Sequence, residues 1–292
     1  LTYTSHPKAN VQHTFSPLIL QYEYMQHKTE AFNEILQQSP YLLISMADQF
    51  VPKMRYTFTY QSPSSYRNPI YLQVAASEAA NILSLGYMAF GEKWSEKGKT
   101  MFKNPYAQFL KVEADFRKTW QVAEHDQLVG HISAGVVWSY GNAESSPYSE
   151  QFYVGGANSI RAFNVRSIGP GSYYTNQSRL SYMDQTGDIK LQANLEYRPR
   201  LFGNLYGALF LDAGNVWAMH DDGYRSGSKL KPQNLLKEMA LGTGIGIRYD
   251  MDFFVLRLDW GVGLHVPYKS GFYNFDHFKD SQSLHFAIGY PF

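Results

Sequence analysis

Ten segments of the chain alternate apolar and polar residues, and this repeat of two constrains the fold more than any other feature. Successive side chains of a β-strand point to opposite faces of a sheet, so each segment predicts a strand with one apolar and one polar face. The predicted strands cover residues 17–25, 53–61, 70–77, 105–121, 128–140, 188–200, 205–217, 239–250, 254–265 and 282–292. Residues 1–4 are a candidate for the end of another strand.

The polar faces of these strands carry charge. In the segment 105–121, Lys111, Glu113, Asp115 and Arg117 share one face. A row of charges is too costly for the dry core between two stacked sheets, which argues against an all-β sandwich. It fits a barrel with a water-filled lumen and an apolar outer wall.

The connections between the segments alternate in length. Those at 28–49, 78–104, 141–187, 218–237 and 266–281 are long, and those at 62–69, 122–127, 201–204 and 251–253 are short. Short periplasmic turns and long external loops are typical of outer-membrane proteins. The predicted fold class is therefore all-β, an antiparallel transmembrane β-barrel. In the long loop 28–49, Ser39 followed by Pro40 predicts the start of a short helix.

Composition agrees with this class. The chain of 292 residues contains 23 Tyr and 19 Phe, and no apolar run is long enough for a transmembrane helix. The absence of cysteine excludes disulfides and thiolate metal sites. A net charge of +1 gives no electrostatic basis for nucleic-acid binding.

The loop 141–187 is too long for an ordinary connection, so it is either disordered or functional. Its aromatic, glycine and proline content, including Gly155, Gly156, Gly169, Pro170 and Gly171, favours an ordered loop. Because ten strands enclose too little space for such a loop, we expect the chain to be the C-terminal part of a larger barrel. No signal peptide begins at Leu1, as expected for such a piece.

Five stretches in this order resemble the BamA/TamA superfamily of outer-membrane assembly and translocation barrels. They are Gly155-Gly-Ala-Asn-Ser-Ile-Arg-Ala-Phe163 with Gly169-Pro-Gly171, Asn194-Leu-Glu-Tyr-Arg-Pro199, Ala208-Leu-Phe-Leu-Asp-Ala-Gly-Asn-Val-Trp217, Gly242-Thr-Gly-Ile-Gly-Ile-Arg-Tyr249 and Leu284-His-Phe-Ala-Ile-Gly-Tyr-Pro-Phe292. The sequence of these stretches is most similar to the TamA-like member of Bacteroidota (TamL), with a BamA paralogue as the alternative. One position differs, because Ala162 stands where the family motif has glycine.

The resemblance implies a sixteen-stranded barrel, of which residues 1–292 would be the C-terminal portion without the upstream strands and periplasmic domains. It also implies that the loop 141–187 folds into the lumen, where its motif arginine pairs with acidic groups of the inner wall. Arg161, followed by Phe163, is that arginine, and Glu196 and Asp212 lie on inward faces of the next two strands. A solvated arginine and general lumen polarity are the alternative interpretations.

Two further features follow from these motifs. Gly242, Gly244 and Gly246 leave a groove without side chains on the inner wall, where the loop backbone could lie close. Because alanine disfavours positive φ, the backbone at Ala162 is expected to be ordinary.

The final segment 282–292 would form one lip of a weak seam between the first and last strands. Phe286 and Phe292 belong to its apolar face. Gly289 and Pro291 are expected to weaken strand pairing, since proline has no N–H to donate.

The function implied is a non-enzymatic insertase or translocase component of the bacterial outer membrane, without a cofactor. Its expected partners are the bilayer with its lipopolysaccharide outer leaflet, nascent outer-membrane proteins, and periplasmic or lipoprotein subunits, with no nucleic acid. A passive pore or a dedicated secretion channel of the two-partner type is the alternative, and an outer-membrane barrel enzyme is a third.

Other motifs have plainer explanations. Gly242-Thr-Gly-Ile-Gly lies within an alternating strand and has no helix after it, unlike a nucleotide-binding loop. Asp221-Asp222-Gly223 favours a turn over a cation site. His220, His265, His277 and His285 show no ligand spacing.

Overall fold

A computed structural model of the chain describes residues 1–25, 27–63, 65–175 and 181–292. Its strands are β1 (Tyr3–Lys8), β2 (Val11–Glu23), β3 (Gln49–Gln61), β4 (Ile70–Ala79), β5 (Thr100–Met101), β6 (Asn104–Pro105), β7 (Phe109–Gln121), β8 (Gln127–Ser139), β9 (Ile189–Arg198), β10 (Arg200–Phe202), β11 (Leu205–Trp217), β12 (Ala240–Asp250), β13 (Val255–His265) and β14 (Gln282–Ile288). The α-helices are α1 (Glu30–Gln38), α2 (Pro40–Ser45) and α3 (Asn81–Ala89).

One antiparallel sheet contains all ten predicted strands. Its order is β1-β2-β3-β4-β7-β8-β9-β11-β12-β13-β14, with β10 paired to β11, so neighbours in the sheet are also successive long strands of the chain. The predicted antiparallel all-β class is confirmed. The count of sixteen strands for the whole barrel stays a prediction.

The two faces of the sheet reverse the usual rule for a water-soluble protein. Large apolar residues on one face are exposed, and Trp138 and Ile132 each retain half of their accessible surface. On the other face, Glu196, Asp212 and Asp259 are completely buried. This arrangement is expected where lipid covers the outer wall and polar groups meet inside. Among the described residues, no helix has the length and apolar character needed to cross a membrane.

The apolar core lies on the inner face, and the loop 141–187 packs into it against strand residues and other loops. Val154, Ile160, Phe163 and Ile168 pack together with inner-wall residues such as Val216. The described part of the loop is therefore ordered and packed. Residues 176–180 of this predicted loop lie outside the described residues.

Several predicted boundaries were wrong, among them the start of the strand predicted at 53–61, which begins at Gln49, and three of the others have a structural reason. The strand predicted at 17–25 starts at Val11, because β1 pairs with its first half in a hairpin. Residues 105–108 precede β7 because Tyr106 is drawn inward, where its hydroxyl lies 2.9 Å from Ser84 Oγ. The last strand ends at Ile288, where Gly289 has a φ of 86° and turns the chain.

Long loops on one side of the sheet join in a cap, which we define as α1, α2 and the loop residues they contact. Pro40 is the first residue of α2, as predicted, but the Ser39 hydroxyl donates to Asp184 instead of capping the helix. The Arg225 guanidinium lies 3.4 Å from the centre of the Tyr41 ring. The amide of Gln151 also contacts the Tyr41 hydroxyl, so the cap connects the loops that contain these residues.

Candidate functional site: a buried arginine on the inner wall

Two adjacent strands place two carboxylates together on the inner wall. In the β9–β11 pair, Asn194 lies opposite Asp212 and Glu196 lies opposite Phe210. Glu196 and Asp212 are therefore diagonal neighbours on the same face, within reach of a single long side chain.

Arg161 from the loop reaches both carboxylates. Its Nε donates to Asp212 Oδ2 and its Nη2 to Asp212 Oδ1, each at 2.8 Å, and its Nη1 donates to Glu196. Its backbone N–H donates to the same Asp212 Oδ2 at 3.0 Å. Planar guanidinium matches a carboxylate with two parallel bonds, a geometry that lysine cannot reproduce.

Arg161 has no solvent exposure, and its charge is compensated locally. Burial alone lowers the pKa of Arg161, but the hydrogen bonds and charges of Asp212 and Glu196 outweigh burial and raise the pKa above its ordinary value. The Phe210 ring covers the guanidinium, with Cζ 3.7 Å from the ring centre. This cation–π contact was not predicted, although Phe210 lies two residues from Asp212 on β11 and therefore points to the same inner face.

Other arginines extend the ion pairs across the inner wall. Glu196 also accepts from Arg198 Nε at 2.6 Å and from Arg248 Nη2 at 3.2 Å. Arg248 Nη1 lies 2.6 Å from Asp259 Oδ1. Because one carboxylate serves three arginines, removal of Glu196 would leave several buried cations with fewer partners. Sequence reasoning did not identify Arg198, Arg248 or Asp259. The contacts of Arg248 and Asp259 depend on register across β9, β11, β12 and β13, whereas Arg198 lies two residues from Glu196 on β9, so strand alternation was an available signal.

The loop tip is a tight turn that presents Arg161. The Gly156 N–H donates to the Phe163 carbonyl at 2.7 Å. Gly155 has a φ of 96°, and a Cβ there would lie 2.1 Å from the carbonyl oxygen of Asn164, so only glycine fits. Ala162 is not among the residues with positive φ, in agreement with the expectation of an ordinary backbone at that position.

The inner groove differs from the prediction. A Cβ on Gly242 would lie 2.3 Å from Ala162 Cβ, so this glycine does admit the loop. The space at Gly244 is filled by the Phe210 ring, and the space at Gly246 by Asp259 and Arg248 side chains. The prediction that these two glycines admit the loop backbone was wrong, because large side chains from the same wall occupy the positions. Gly261 of β13 takes that role instead, with the Arg161 carbonyl oxygen 2.5 Å from its ideal Cβ position. The alternation along β13 places Gly261 on the inner face, and this was the signal available in the sequence.

The remaining motif residues fasten the loop at two places. Phe163 stacks with Phe275, with ring centres 6.3 Å apart. The Gly171 N–H donates to the Val216 carbonyl at 2.7 Å, and Asn215 Nδ2 donates to the Gly171 carbonyl at 2.9 Å. Pro170, whose bond with Gly169 is cis, accepts the N–H of Tyr173 through its carbonyl, and a Cβ on Gly169 would meet Asn215 Oδ1 at 2.4 Å.

The end of the chain turns from the sheet edge toward the same site. Phe286 is exposed on the outer face of β14, whereas Pro291 is buried after the turn at Gly289. The Phe292 ring stacks on His131 of β8, with centres 4.9 Å apart, and its centre lies 5.6 Å from Cζ of Arg161. Since β8 and β14 are five strands apart in the sheet, this contact requires the sheet to curl around the loop.

Comparisons with known proteins identify the family. A model of the Omp85 superfamily domain matches residues 95–292, more than half of the chain. The chain belongs to the Omp85 superfamily. This confirms the superfamily indicated by the sequence motifs, while the assignment to a TamA-like protein of Bacteroidota stays a prediction. As an Omp85 member, the chain is part of an outer-membrane β-barrel.

Two curated relatives match part of the chain. "Sorting and assembly machinery component 50 homolog B" of Xenopus laevis is 30% identical over 142 residues, which cover 48% of this chain and 29% of the relative. "Outer membrane protein assembly factor BamA" of Neisseria meningitidis serogroup B is 30% identical over 108 residues, 35% of this chain and 13% of the relative. The matches thus span less than a third of either relative.

Among solved structures, CdiB from Escherichia coli shares the fold. It has a TM-score of 0.55 and 14% sequence identity, and the alignment covers 98% of this chain and 43% of CdiB. At this identity the likeness shows the barrel fold alone.

Proposed function

We propose that this Omp85 protein is a non-enzymatic component that assists the assembly or translocation of proteins in the outer membrane. Its substrates would be nascent outer-membrane proteins. The bilayer, with lipopolysaccharide in its outer leaflet, would surround it, and periplasmic or lipoprotein subunits would be its partners. We also propose that residues 1–292 are the C-terminal portion of the barrel.

One observation carries this proposal: the loop is held rigidly inside while the strand at the sheet edge is short. Arg161 fixes the loop tip to Asp212 and Glu196 through buried bonds. The edge strand β14 pairs with β13 only from Ile288 back to Gln282, and its chain then leaves the sheet at Gly289. A template for incoming strands needs both features: a loop that stays in place inside the barrel and an edge strand with few pairs to its neighbour.

The physical reason lies in the cost of strand edges in lipid. Unpaired backbone N–H and C=O groups have no water to bond with inside a bilayer, and each costs several kcal/mol, ~2–7 by transfer scales. A nascent strand that pairs with the β14 edge satisfies its groups before it leaves the lumen. The barrier to insertion falls accordingly.

The test is complementation by the whole protein in cells depleted of it. Arg161→Lys keeps the charge but loses the paired bonds to Asp212, and Arg166→Lys makes the same change elsewhere in the loop. We expect Arg161→Lys to lower the amount of heat-modifiable, assembled outer-membrane proteins while Arg166→Lys supports the parent level. Normal assembly of outer-membrane proteins in cells that lack the parent protein, whether or not they contain the variant, would contradict the proposal.

A polar cavity favours a second candidate, a channel for a dedicated partner protein. The cavity has a volume of about 550 Å³, and its lining includes Lys111, Glu113, Lys190 and the loop residues 155–159. Charged walls and water are suited to an extended polypeptide in transit. Single-channel conductance of the purified protein, together with unchanged outer-membrane protein assembly after depletion, would support the channel over the assembly role.

A further inference from the structure

The outer wall contains a groove that crosses β7, β8, β9 and β11. Its volume is about 300 Å³, at the lower end of the range for small-molecule sites, ~300–1,000 Å³. Almost all of its surface is apolar. The large side chains around it are Phe116, Trp120, Ile132, Leu195 and Leu211.

The groove exists because small residues meet in the register of three strands. Ala193 lies opposite Ile132 in the β8–β9 pair and opposite Ala213 in the β9–β11 pair. Gly130 lies two residues before Ile132 on β8, and the Trp120 ring lies over it, since a Cβ on Gly130 would be 3.1 Å from Trp120 Cζ3. A straight apolar chain can lie in such a depression without displacing protein atoms.

A cation stands at one end of the groove. Lys118 lines the groove and is paired with Gly130 in the β7–β8 ladder. Its ammonium reaches the rim and donates to the Asn68 carbonyl at 3.0 Å, in the short turn between β3 and β4. A carbonyl carries no net charge, so this bond does not neutralise the lysine. Such a residue buries its methylene stem and keeps its charged end at the membrane surface.

The same wall offers an internal comparison. A second groove of about 510 Å³, between β8 and β13, also contains one tryptophan, Trp260. In the described structure, the residues that line it include no charged side chain. The two grooves are therefore alike in apolar character and differ in the cation.

We propose that the first groove binds one acyl chain of an anionic glycerophospholipid whose phosphate pairs with Lys118. Apolar walls accept the chain of any phospholipid, so the selectivity for headgroup charge comes from the lysine. A basic residue near a membrane surface attracts anionic lipid by ~1 kcal/mol, which corresponds to about a fivefold preference. This site does not depend on the assembly role proposed above.

Quenching of tryptophan fluorescence by brominated lipids tests the proposal. The whole protein is reconstituted in nanodiscs with only Trp120 or only Trp260 retained as tryptophan, and brominated phosphatidylglycerol is compared with brominated phosphatidylcholine. We expect about fivefold preference for phosphatidylglycerol at Trp120 and none at Trp260. Lys118→Gln should abolish the preference, whereas Arg200→Gln, which removes an exposed charge at the same end, should not.

A variant that fills the groove distinguishes binding of an acyl chain in the groove from attraction of the lipid headgroup by charge alone. Ala193→Leu places a larger apolar side chain where the acyl chain would lie and should reduce the preference at Trp120, with folding checked by heat-modifiability. Equal quenching by both lipids at Trp120 in the parent, or a preference that survives Lys118→Gln, would overturn the proposal. A preference that survives Ala193→Leu in a folded barrel would overturn the groove as the site.

Discussion

Replacement of Arg161 by lysine should release the loop tip from the inner wall. The guanidinium makes three side-chain hydrogen bonds, two to Asp212 and one to Glu196. A lysine keeps the backbone bond and at most one of the three. Each bond to a charged group contributes ~1.5–3 kcal/mol, so the loss of two weakens the docked loop by about 3–6 kcal/mol. That agrees with the ~3–5 kcal/mol found when a buried ion pair is broken.

Hydrogen exchange of the loop tip measures this loss directly. Backbone amides such as Gly156 N–H exchange only when the loop opens, and exchange rates report the open fraction. A loss of ~3 kcal/mol raises that fraction more than 100-fold. Arg166→Lys is the matched control: its guanidinium lies 4.6 Å from the Tyr153 ring centre and 5.2 Å from that of Tyr148. Cation–π contacts of this kind contribute ~0.5–1 kcal/mol, so the control should change exchange by about fivefold at most.

The outcome has two ways to refute the reasoning. Parental exchange in Arg161→Lys would mean that the paired carboxylate geometry does not hold the loop. Equal acceleration in both variants would mean that the loop responds to any arginine change, and the specific bonds to Asp212 and Glu196 would then not be responsible.

Three further predictions concern packing and pH. Gly242→Ala should raise the open fraction of the loop tip, measured by exchange, by about fivefold or more, since overpacking costs ~1–3 kcal/mol, while Gly207→Ala, whose Cβ would meet Pro199 Cγ at an ordinary 3.4 Å, should not. Ala162→Gly, although it restores the family residue, should raise opening about two- to fivefold, because glycine has more unfolded-state freedom by ~0.4–1 kcal/mol. Burial raises the pKa of Asp184 in the cap, so its contribution to stability is greatest in acid and is lost as pH rises through the folded-state pKa. Asp184→Asn should remove that part of the pH dependence of protection in α2, and an unchanged profile would contradict the assignment.

The sheet could be predicted from the sequence because lipid and water enforce the period of two along every strand. In β7, Leu110 to Phe116 alternate outward with inward charges, and the observed strand follows that pattern. Where the chain contacts neither lipid nor water, the alternation of residue types no longer predicts a strand. Tyr106 and Gln108 continue the alternation by residue type but lie buried beneath long loops, so their hydrogen bonds to other loops decide their conformation.

The site could be predicted only as far as single strands allow. Strand parity places Glu196 and Asp212 inward, and a family resemblance points to Arg161. Two other features depend on the register between strands: the contact of the Phe210 ring with Arg161, and the fact that Gly261, not Gly244, makes room for the loop backbone. Parity gives the face of a residue but not its neighbours, and a shift of two residues keeps the face while it changes every contact.

The edge of the sheet and the buried arginine share one structural element, the four residues after β14. Gly289 turns them inward, so Tyr290 lies against Arg198, with Cζ 4.4 Å from the ring centre, and Phe292 lies near Arg161 and Arg198. Outward movement of the β14 edge must withdraw these rings. Each cation–π contact contributes ~0.5–2 kcal/mol, so together the contacts resist opening by only a few kcal/mol. That is comparable to the cost of one or two unpaired backbone groups in lipid, ~2–7 kcal/mol each. In the proposed assembly role, an arriving strand that pairs with the edge would therefore compensate for the loss of the internal contacts, while the ion pairs of Arg161 keep the loop in place.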